Sequence, residues 1–453
     1  MAEGARGALR PKVRHCGFGD SSLVQGRVSE EVLEMADRQI EFSLDELFAR
    51  RLAARAADEG RCLEDILHQE LLGWLGEWGL RVTTHTVQPG ETLSTIAALY
   101  YGDETKAEVI AAFNGFSDPD LIYAGQALKI PEAGAPQPLP KGESPFIFGL
   151  HDRGGEHYMA WAGRKGWVLC TEELGADPDD WGSKSYGDLA DKGYGVIVRL
   201  NHGYGEKGTL PRSKYYADFA VRCGNFVERS DGCHIWIIAN EMNLAVERPG
   251  GPDHGEWITP DKYVTAFRAC RSEIHKRAGH EEDQVVVGAV GPWNVQTTYP
   301  ENPSGDWIIY FEDILKGLRG EVDGIAIHTY ARDADPANIV SELCMDPPFD
   351  HRRKMFRTYI DYMEAIPQAM RYHPVYLTET DQNIAWVDVN NGWVQDAYAE
   401  VNRWNSDPTH QKICCMLLYR WEKYGGDIWY IRDKREVIND FRAALQHEYR
   451  WYG

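Results

Sequence analysis

The chain has 453 residues, of which 43% are hydrophobic and 26% are charged, and its formal net charge is -22. This length predicts two or three domains, and the hydrophobic content excludes a wholly disordered chain. An acidic chain of this kind is a poor partner for nucleic acid or for an anionic lipid surface, so we expect neither. No apolar run reaches the roughly 20 residues of a membrane-spanning helix, so we expect no membrane span.

The cysteines and the N-terminal residues indicate a reducing compartment. The nine cysteines include no CxxC pair, so their spacing predicts neither a disulfide framework nor a zinc site. Residues 1–20 contain no apolar segment typical of a signal peptide. A truncated chain would give the same pattern, and the localisation therefore stays open.

Residues 1–83 are predicted to form a helical N-terminal segment. Ser43 and Glu46 make a capping box, and a second amphipathic stripe runs through residues 63–78. Two such helices cannot bury their apolar stripes alone. They therefore pack on the rest of the chain, bind a partner or mediate self-association.

Residues 84–132 predict a compact βααβ unit. A short strand at residues 85–87 precedes a helix that Thr92 caps, a second helix stops at Asn114, and residues 128–131 form a closing strand. The segments THTVQPGETLSTIAALYYGD and FNGFSDPDLIYAGQALKIP resemble the LysM module over its full length.

The LysM resemblance implies a glycan that contains N-acetylglucosamine, such as peptidoglycan or chitin, as the partner of this unit. In that family the ligand lies between the first loop and the loop before the last strand. The residues that this implies as glycan contacts are Gly90, Thr92, Leu121 and Ile122. The alternative is a LysM-shaped spacer that has lost its ligand.

Residues 133–145 are rich in Pro and Gly and predict a semi-rigid linker. Residues 146–453 then repeat a short apolar strand followed by an amphipathic helix. Eight such units predict an α/β fold, the (β/α)8 TIM barrel, with a first crossover that is short of helix. A doubly wound open sheet is the alternative, but no Gly-rich phosphate loop follows the first strand.

The predicted strands of the barrel end in polar residues. They span residues 146–151, 167–172, 196–201, 235–240, 285–291, 324–328, 375–379 and 415–421. The predicted helices span residues 215–228, 261–277, 307–318, 351–370, 393–404 and 436–451.

Carboxylates, amides and aromatic side chains collect at these strand ends, where TIM barrels carry their chemistry. Two carboxylates, an amide and aromatic platforms are what the cleavage of a glycosidic bond requires. No cluster shows the His and carboxylate spacing of a metal site, so no metal or other cofactor is expected. The strand-end residues are His151, Asp152, Glu172, Glu173, Asn201, His202, Asn240, Glu241, Trp293, Asn294, His328, Tyr330, Glu379, Asp381 and Trp421.

Two of the strand ends carry a recognisable signature. Residues 236–241 end in Asn240 and Glu241 and resemble the fourth-strand motif of clan A glycoside hydrolases, which are retaining TIM-barrel enzymes. Residues 375–379 resemble their seventh strand, which carries the nucleophile. The resemblance implies Glu241 as the acid/base, Glu379 as the nucleophile and Asn240 as a ligand of the sugar 2-hydroxyl.

Three further residues match the clan A pattern, and a fourth departs from it. His328 and Tyr330 match the sixth strand, whose Tyr orients the nucleophile, and Trp421 matches the eighth-strand Trp beneath the cleavage subsite. Arg199 departs from it, because the clan carries its nucleophile-supporting Arg on the second strand and Arg199 lies on the predicted third. Either the strand count slips there or this chain differs.

For the other candidate substrate-binding residues, the alternative to sugar binding is a structural role. His202 fits a hydrogen bond to the barrel rim as well as a sugar contact, and Trp421 fits a core ring. His151 and Asp152 fit polar packing of the barrel, and Trp293 fits a ring that caps it. Asn201 is a further substrate-binding candidate.

The function predicted on these grounds is a retaining, endo-acting β-glycosidase that a LysM module directs to its polysaccharide. The alternative is a non-catalytic coat or particle protein whose barrel binds sugar and whose N-terminal helices make the assembly contact. No Ser or Cys lies in a nucleophile elbow, which argues against an esterase or peptidase. A cell-wall, extracellular, phage-associated or spore-associated setting suits either function.

Overall fold

The computed structural model describes residues 82–452, apart from residues 89, 102–106, 108–109, 112–113, 115–121, 124, 132–138, 140–141 and 408–409. The predicted N-terminal helices and most of the predicted linker therefore lie outside the described residues. The chain divides into two compact units, Met1–Gln137 and Pro138–Gly453. In the described part of the chain, no helix has the length and apolar character needed to cross a bilayer.

The first unit contains a two-stranded antiparallel sheet. Strand β1 (Val82–Thr86) pairs with β2 (Ala127–Pro131), and helix α1 (Leu93–Tyr101) follows the turn after β1. The Oγ1 atom of Thr92 accepts the backbone N–H of Thr95 at 3.2 Å, which caps α1 as predicted. The core of this unit consists of Val87, Leu93, Ile96, Ala97, Ile110, Ala111, Leu128 and Ile130.

Asn114 joins the second helical segment to the closing strand. Its Nδ2 donates to the carbonyls of Ile110 and Lys129, at 2.8 and 2.6 Å, and its Oδ1 accepts the Lys129 N–H at 2.8 Å. Residues 107, 110 and 111 are helical, while the rest of the predicted second helix is not among the described residues. An Asn at this position therefore supplies hydrogen bonds that an apolar side chain could not.

The second unit is a closed barrel of eight parallel strands, so the predicted TIM barrel is confirmed. The strands follow chain order around the barrel, and the last strand pairs with the first. They are β3 (Phe148–His151), β4 (Trp167–Glu173), β5 (Gly195–Asn201), β6 (Ile235–Ile238), β7 (Gln284–Val287), β8 (Gly324–His328), β9 (Val375–Thr380) and β10 (Ile413–Leu418).

Helices lie between the strands at the predicted places, with two corrections. They are α2 (Glu156–Trp161), α3 (Gly187–Ala190), α4 (Tyr216–Glu228), α5 (Gly251–His254), α6 (Pro260–His275), α7 (Trp307–Leu318), α8 (Thr358–Ala365), α9 (Trp393–Ser406) and α10 (Arg435–Ala444). Helix α8 is shorter than predicted because Pro367 forces Ile366 out of the helical region. Helix α10 ends early, and Arg450 pairs with Phe146 in an isolated bridge.

Alternation along the strands determines which side chains fill the barrel. Trp167 and Leu169 of β4 and Ile197 of β5 belong to the inner core, and Arg199 lies two residues further along β5, on the same inner face. Cys414 and Cys415 are buried in this core as small apolar residues. The inner face therefore changes from apolar to charged toward the carboxyl ends of the strands.

The barrel closes where β10 meets β3, at Gly149. A Cβ atom at Gly149 would lie 2.0 Å from Leu417 Cδ2, so the close approach of these strands requires glycine. The Tyr398 hydroxyl of α9 accepts the Gly149 N–H at 3.2 Å and lies 3.1 Å from the carbonyl oxygens of Gly149 and Met416. This closure fixes the end of β3, where His151 lies.

Candidate active site

A cavity of about 890 Å³ lies at the carboxyl ends of the barrel strands. Eight of the predicted site residues line it, and they come from the ends of six different strands. These residues are His151, Asp152, Arg199, Asn240, Glu241, Trp293, Tyr330 and Glu379. The fold thus assembles in one place what the sequence carries at separated positions.

Glu379, at the end of β9, is buried among cationic and hydroxyl groups. Arg199 Nη2 donates to Glu379 Oε1 at 2.7 Å, and the Tyr330 hydroxyl donates to Oε2 at 3.0 Å. His151 Nε2 and His328 Nε2 lie 3.7 and 3.8 Å from Oε1. Burial raises the pKa of Glu379, but the charges of His328, Arg199 and His151 outweigh it and leave the pKa below its usual value. Glu379 is therefore an ionised carboxylate at neutral pH.

Arg199 lies on β5, the third strand of the barrel, so the strand count holds and the departure from the clan A pattern is real. Its side chain reaches Glu379 from this position and also lies 3.1 Å from His151 Nε2. Burial lowers the pKa of Arg199, but the charge of Glu379, its hydrogen bond and the nearby Tyr204 and Tyr419 together outweigh burial and leave the pKa above its usual value. The guanidinium is thus charged and paired in the barrel interior.

Glu241 follows β6 in a strained turn. Ala239 and Glu241 have φ values of +63° and +40°, in the region that residues with a Cβ atom seldom adopt. Backbone hydrogen bonds hold the turn, because the Glu241 N–H donates to Ala289 O at 2.9 Å. Gly291 leaves room for the side chain, since a Cβ there would lie 3.2 Å from Glu241 Cδ. The turn therefore directs this carboxyl group into the cavity.

The two carboxyl groups are linked through His328 and Tyr330. His328 Nδ1 lies 2.9 Å from Glu241 Oε1, and the Tyr330 hydroxyl lies 3.3 Å from the same oxygen. One carboxylate oxygen each of Glu241 and Glu379 and a His328 nitrogen lie within 4.8 Å of one another. The single Tyr330 proton can serve only one carboxylate at a time. This spacing fits the roughly 5–5.5 Å between the carboxyl groups of retaining glycosidases.

The fold also creates two His and carboxylate groups that the sequence spacing did not reveal. Glu241, His328 and Glu379 form one, and His234, His280 and Asp283 form the other. In the first group, Arg199 already neutralises Glu379. In the second, both His Nδ1 atoms lie 2.6 Å from Asp283 carboxylate oxygens. Burial raises the pKa of Asp283, but these hydrogen bonds and that of the Trp236 indole outweigh burial and leave the pKa below its usual value. Hydrogen bonding within each group accounts for its geometry.

Trp421 does not line the cavity, which corrects its predicted place beneath a subsite. Its ring packs 5.8 Å from that of Tyr158 and lies over Gly154 and Gly155, where a Cβ atom would come within 2.7 and 2.3 Å of it. Strand β10 ends at residue 418, and Tyr419 lines the cavity instead. These contacts fit the alternative of a packed ring.

Asn201 and His202 also lie outside the cavity lining. His202 Nδ1 is 3.0 Å from the Lys207 carbonyl oxygen, which is the rim hydrogen bond considered as its alternative. Asn201 is fully buried, and its carbonyl oxygen accepts the Leu174 N–H at 2.9 Å. These two residues support the loops at the end of β5 rather than the cavity.

The sequence analysis missed several residues that line the cavity. Thr171 lies within β4, and most of the others lie in loops without a periodic pattern. Tyr204, Tyr419, Tyr424 and Trp429 add aromatic rings to Trp293, and the remaining missed residues are Thr171, Leu244, Glu247, Gly291, Pro292, Arg332, Asn383 and Arg420. Glu247 and Asp381 are unusual among the carboxyl groups here. Burial, followed by the Glu241 charge, raises the pKa of Glu247 to about 8, and burial raises that of Asp381.

The two loops of the first unit that are predicted to contact glycan lie at the same end of its two-stranded sheet. The Val87 N–H donates to Gln126 O at 2.9 Å, and the Gly125 N–H donates to Val87 O at 2.8 Å. Gly90, with φ +88°, and Thr92 are exposed on the first loop, and Ile122 is half-buried before the second. Leu121 lies outside the described residues.

Residues 85–131 match the family model described as the LysM domain. This segment is a LysM domain. A Deinococcus radiodurans protein is 53% identical over 49 residues, which are 11% of this chain and 19% of that protein. An esterase of Mycobacterium tuberculosis is 47% identical over 51 residues, which are 11% of each chain. The chain thus spans far less than two thirds of either relative.

The structure is similar to the endo-beta-1,4-mannanase from Thermotoga petrophila, with a TM-score of 0.41 and 11% identity over 68% of this chain and 78% of that chain. A similarity of this size supports no further conclusion. The barrel fold itself is established by the strand pairing.

Glu247 makes the stability of the protein depend on pH. The carboxyl ionises near pH 4.5 in the unfolded chain and near pH 8 in the folded protein. Between these values the folded state keeps a proton that the unfolded state has lost, so this group destabilises the fold increasingly as pH rises. We expect the Tm of Glu247→Gln minus that of the wild type to increase from pH 5 to pH 8 and then level off, as measured by thermal unfolding.

The control is Glu206→Gln, which removes an exposed glutamate from a neighbouring turn. Its Tm difference from the wild type should stay flat over the same pH range. A flat difference for Glu247→Gln as well would contradict the raised pKa.

Proposed function

We propose that the protein is a retaining, endo-acting β-glycosidase of the clan A type and that its LysM domain binds a glycan containing N-acetylglucosamine. The observation that carries the proposal is the approach of Glu241 and Glu379 within one cavity, with Arg199 and Tyr330 on Glu379. A non-catalytic sugar-binding barrel has no use for a carboxylate held ionised beside a second carboxyl group.

In the first step Glu379 attacks the anomeric carbon of the bound sugar. The bond between Glu379 Oε and this carbon forms, and the bond to the leaving oxygen breaks. Glu241 gives its proton to the leaving oxygen, so the departing sugar leaves as a neutral alcohol. Arg199 and Tyr330 hold Glu379 in place, because they bind its two oxygens separately.

In the second step water replaces the departed sugar. Glu241, now ionised, takes a proton from the water, whose oxygen attacks the anomeric carbon and releases Glu379. His328 fixes the position of Glu241 in both steps, because its Nδ1 contacts Glu241 Oε1 and its ring is fully buried.

The aromatic lining supports a polymer as the substrate. Tyr204 follows β5, Trp293 follows β7 and Trp429 follows β10, so stacking surfaces lie at three separated positions around the carboxylates. The Arg332 guanidinium lies 4.6 Å from the centre of the Trp293 ring and steadies it. Rings on several sides suit sugars on both sides of the cleaved bond.

Separate replacement of the two carboxylates distinguishes their roles. Glu379→Gln should abolish turnover of both polysaccharides and aryl glycosides, because no nucleophile remains. Glu241→Gln should slow polysaccharide cleavage by about 100-fold or more, but should slow attack on a dinitrophenyl glycoside much less, because that leaving group needs no proton. Reducing-sugar release and absorbance measure the two reactions across a panel of glucans, mannans, chitin and peptidoglycan.

Glu206→Gln, on an exposed turn outside the cavity, is the matched control and should keep wild-type rates. Both catalytic variants should still bind the polysaccharide. If both variants act as fast as the wild type, or if the wild type cleaves nothing but binds sugar, the alternative of a binding protein is the better one.

The double displacement predicts retention of anomeric configuration. The sugar released first should carry the same anomeric configuration as the bond that was cut, because two inversions at one carbon cancel. Proton NMR of the anomeric region during the first turnovers measures this. An inverted first product would rule out Glu379 as a covalent nucleophile.

The LysM domain should attach the full chain to insoluble chitin or peptidoglycan. Thr92→Arg introduces a long cation into the predicted glycan-contacting loop and should reduce the bound fraction in a sedimentation assay. Thr84→Arg changes an exposed residue on β1 and is the control. Soluble N-acetylglucosamine oligomers should release the wild type, whereas glucose oligomers should not. Equal binding by both variants would contradict the predicted glycan site.

A further inference from the structure

Glu247 is a carboxyl group of the cavity that the double displacement does not use. It lies in the turn after Glu241 and lines the cavity. Its Oε2 atom is buried and has no hydrogen-bond partner. Among the described residues, no basic side chain forms an ion pair with it. A buried carboxyl oxygen without a partner, on a residue that lines a cavity, requires an explanation, and a ligand contact of this carboxyl group is one.

The position of Glu247 is fixed by the same residue, Thr209, that supports the Asn240 turn. The Thr209 N–H donates to the Glu247 carbonyl oxygen at 3.0 Å, and the Thr209 hydroxyl donates to the Asn240 carbonyl oxygen at 2.9 Å. Thr209 is itself completely buried. The two turns therefore form one unit, and Glu247 keeps a constant position relative to Glu241.

The groups that face Glu247 make its ionisation unfavourable. They are Glu241 on its own loop, Glu379 from β9, and Arg199 and Tyr204 from β5 and the loop after it. Arg199 is the one cation among them, and its Nη2 is already bound to Glu379. Burial, followed by the charges of Glu241 and Glu379, therefore raises the pKa of Glu247 to about 8. At pH 7 Glu247 is mainly a neutral carboxylic acid.

We propose that Glu247 is a substrate-binding residue that donates a hydrogen bond, as a neutral carboxylic acid, to an uncharged oxygen of the sugar beside the cleaved bond. The inference rests on the proposed glycosidase function. A sugar that carries a carboxylate at this position would meet the charge of Glu379, so the substrate is an uncharged sugar there. The bond formed is an ordinary O–H···O hydrogen bond, and no proton leaves Glu247 during turnover.

Two variants test the role of Glu247. Glu247→Gln keeps a neutral donor of the same shape, whereas Glu247→Ala removes it. At pH 6.5, Glu247→Ala should raise KM about tenfold with kcat little changed, as expected for a lost neutral hydrogen bond, and Glu247→Gln should restore KM to near the wild-type value. Steady-state cleavage of β-1,4-linked oligosaccharides of glucose, mannose and N-acetylglucosamine supplies these constants.

The pH dependence provides a readout that a structural role would not change. Only the wild type loses its donor as pH passes 8, so the ratio of kcat/KM for Glu247→Gln to that of the wild type should rise about fivefold between pH 7 and pH 9. Ionisation of the remaining site groups affects both proteins and largely cancels in the ratio. Glu206→Gln should show a constant ratio.

The outcomes separate the two proposals. If the wild type cleaves an oligosaccharide, Glu379→Gln does not, and Glu247→Gln behaves like Glu247→Ala at all pH values, the inference on Glu247 is wrong and the glycosidase function stands. A constant ratio between pH 7 and pH 9 also overturns the inference. If the wild type cleaves none of the substrates, the function fails and the inference fails with it.

Discussion

The contact between Arg199 and Glu379 is the interaction on which the rest of the cavity depends. A carboxylate buried at the end of a barrel strand would be strongly destabilised without a cation at hydrogen-bond distance. Arg199 supplies that cation at 2.7 Å, and His328 and His151 add further positive potential. Because Glu379 is neutralised in this way, a second carboxyl group, Glu241, can lie within 4.8 Å of it. Paired carboxylates at this distance are the basis of the proposed chemistry.

The concentration of acids has a consequence for the other groups in the cavity. One Arg pairs with one carboxylate, so the additional acids Glu247 and Asp381 lie near negative charge without a cation of their own. Burial raises the pKa of both residues, and the nearby carboxylates Glu241 and Glu379 raise it further. The same cavity thus holds an ionised carboxylate, Glu379, and the neutral acids Glu247 and Asp381. The positions of Arg199 and the histidines determine which carboxyl group is ionised.

Backbone strain is concentrated at this end of the barrel. Six residues other than glycine have positive φ in the described part of the chain. Arg319 ends α7, and the other five follow barrel strands at the cavity: Asp152, Ala239, Glu241, Trp293 and Asn383. Such conformations persist only where surrounding contacts enforce them. Those contacts come from the strands and from the Thr209 hydrogen bonds. Gly149 and Gly291 leave the space that the neighbouring side chains occupy. The barrel therefore supports strained turns at the cavity, and these turns position the side chains that line it.

The sequence by itself determined the LysM domain, the eight strands and the gathering of Asn240, Glu241, Tyr330 and Glu379 at strand ends. These features depend on local patterns, because alternation and short motifs mark a strand and its last residue wherever it lies in the chain. Only the tertiary structure decided that Trp421 packs outside the cavity, that Glu247 lines it and that Arg199 reaches Glu379 from the third strand. The direction of a loop side chain and the partner of a buried charge depend on residues far away in the chain, which no local pattern contains.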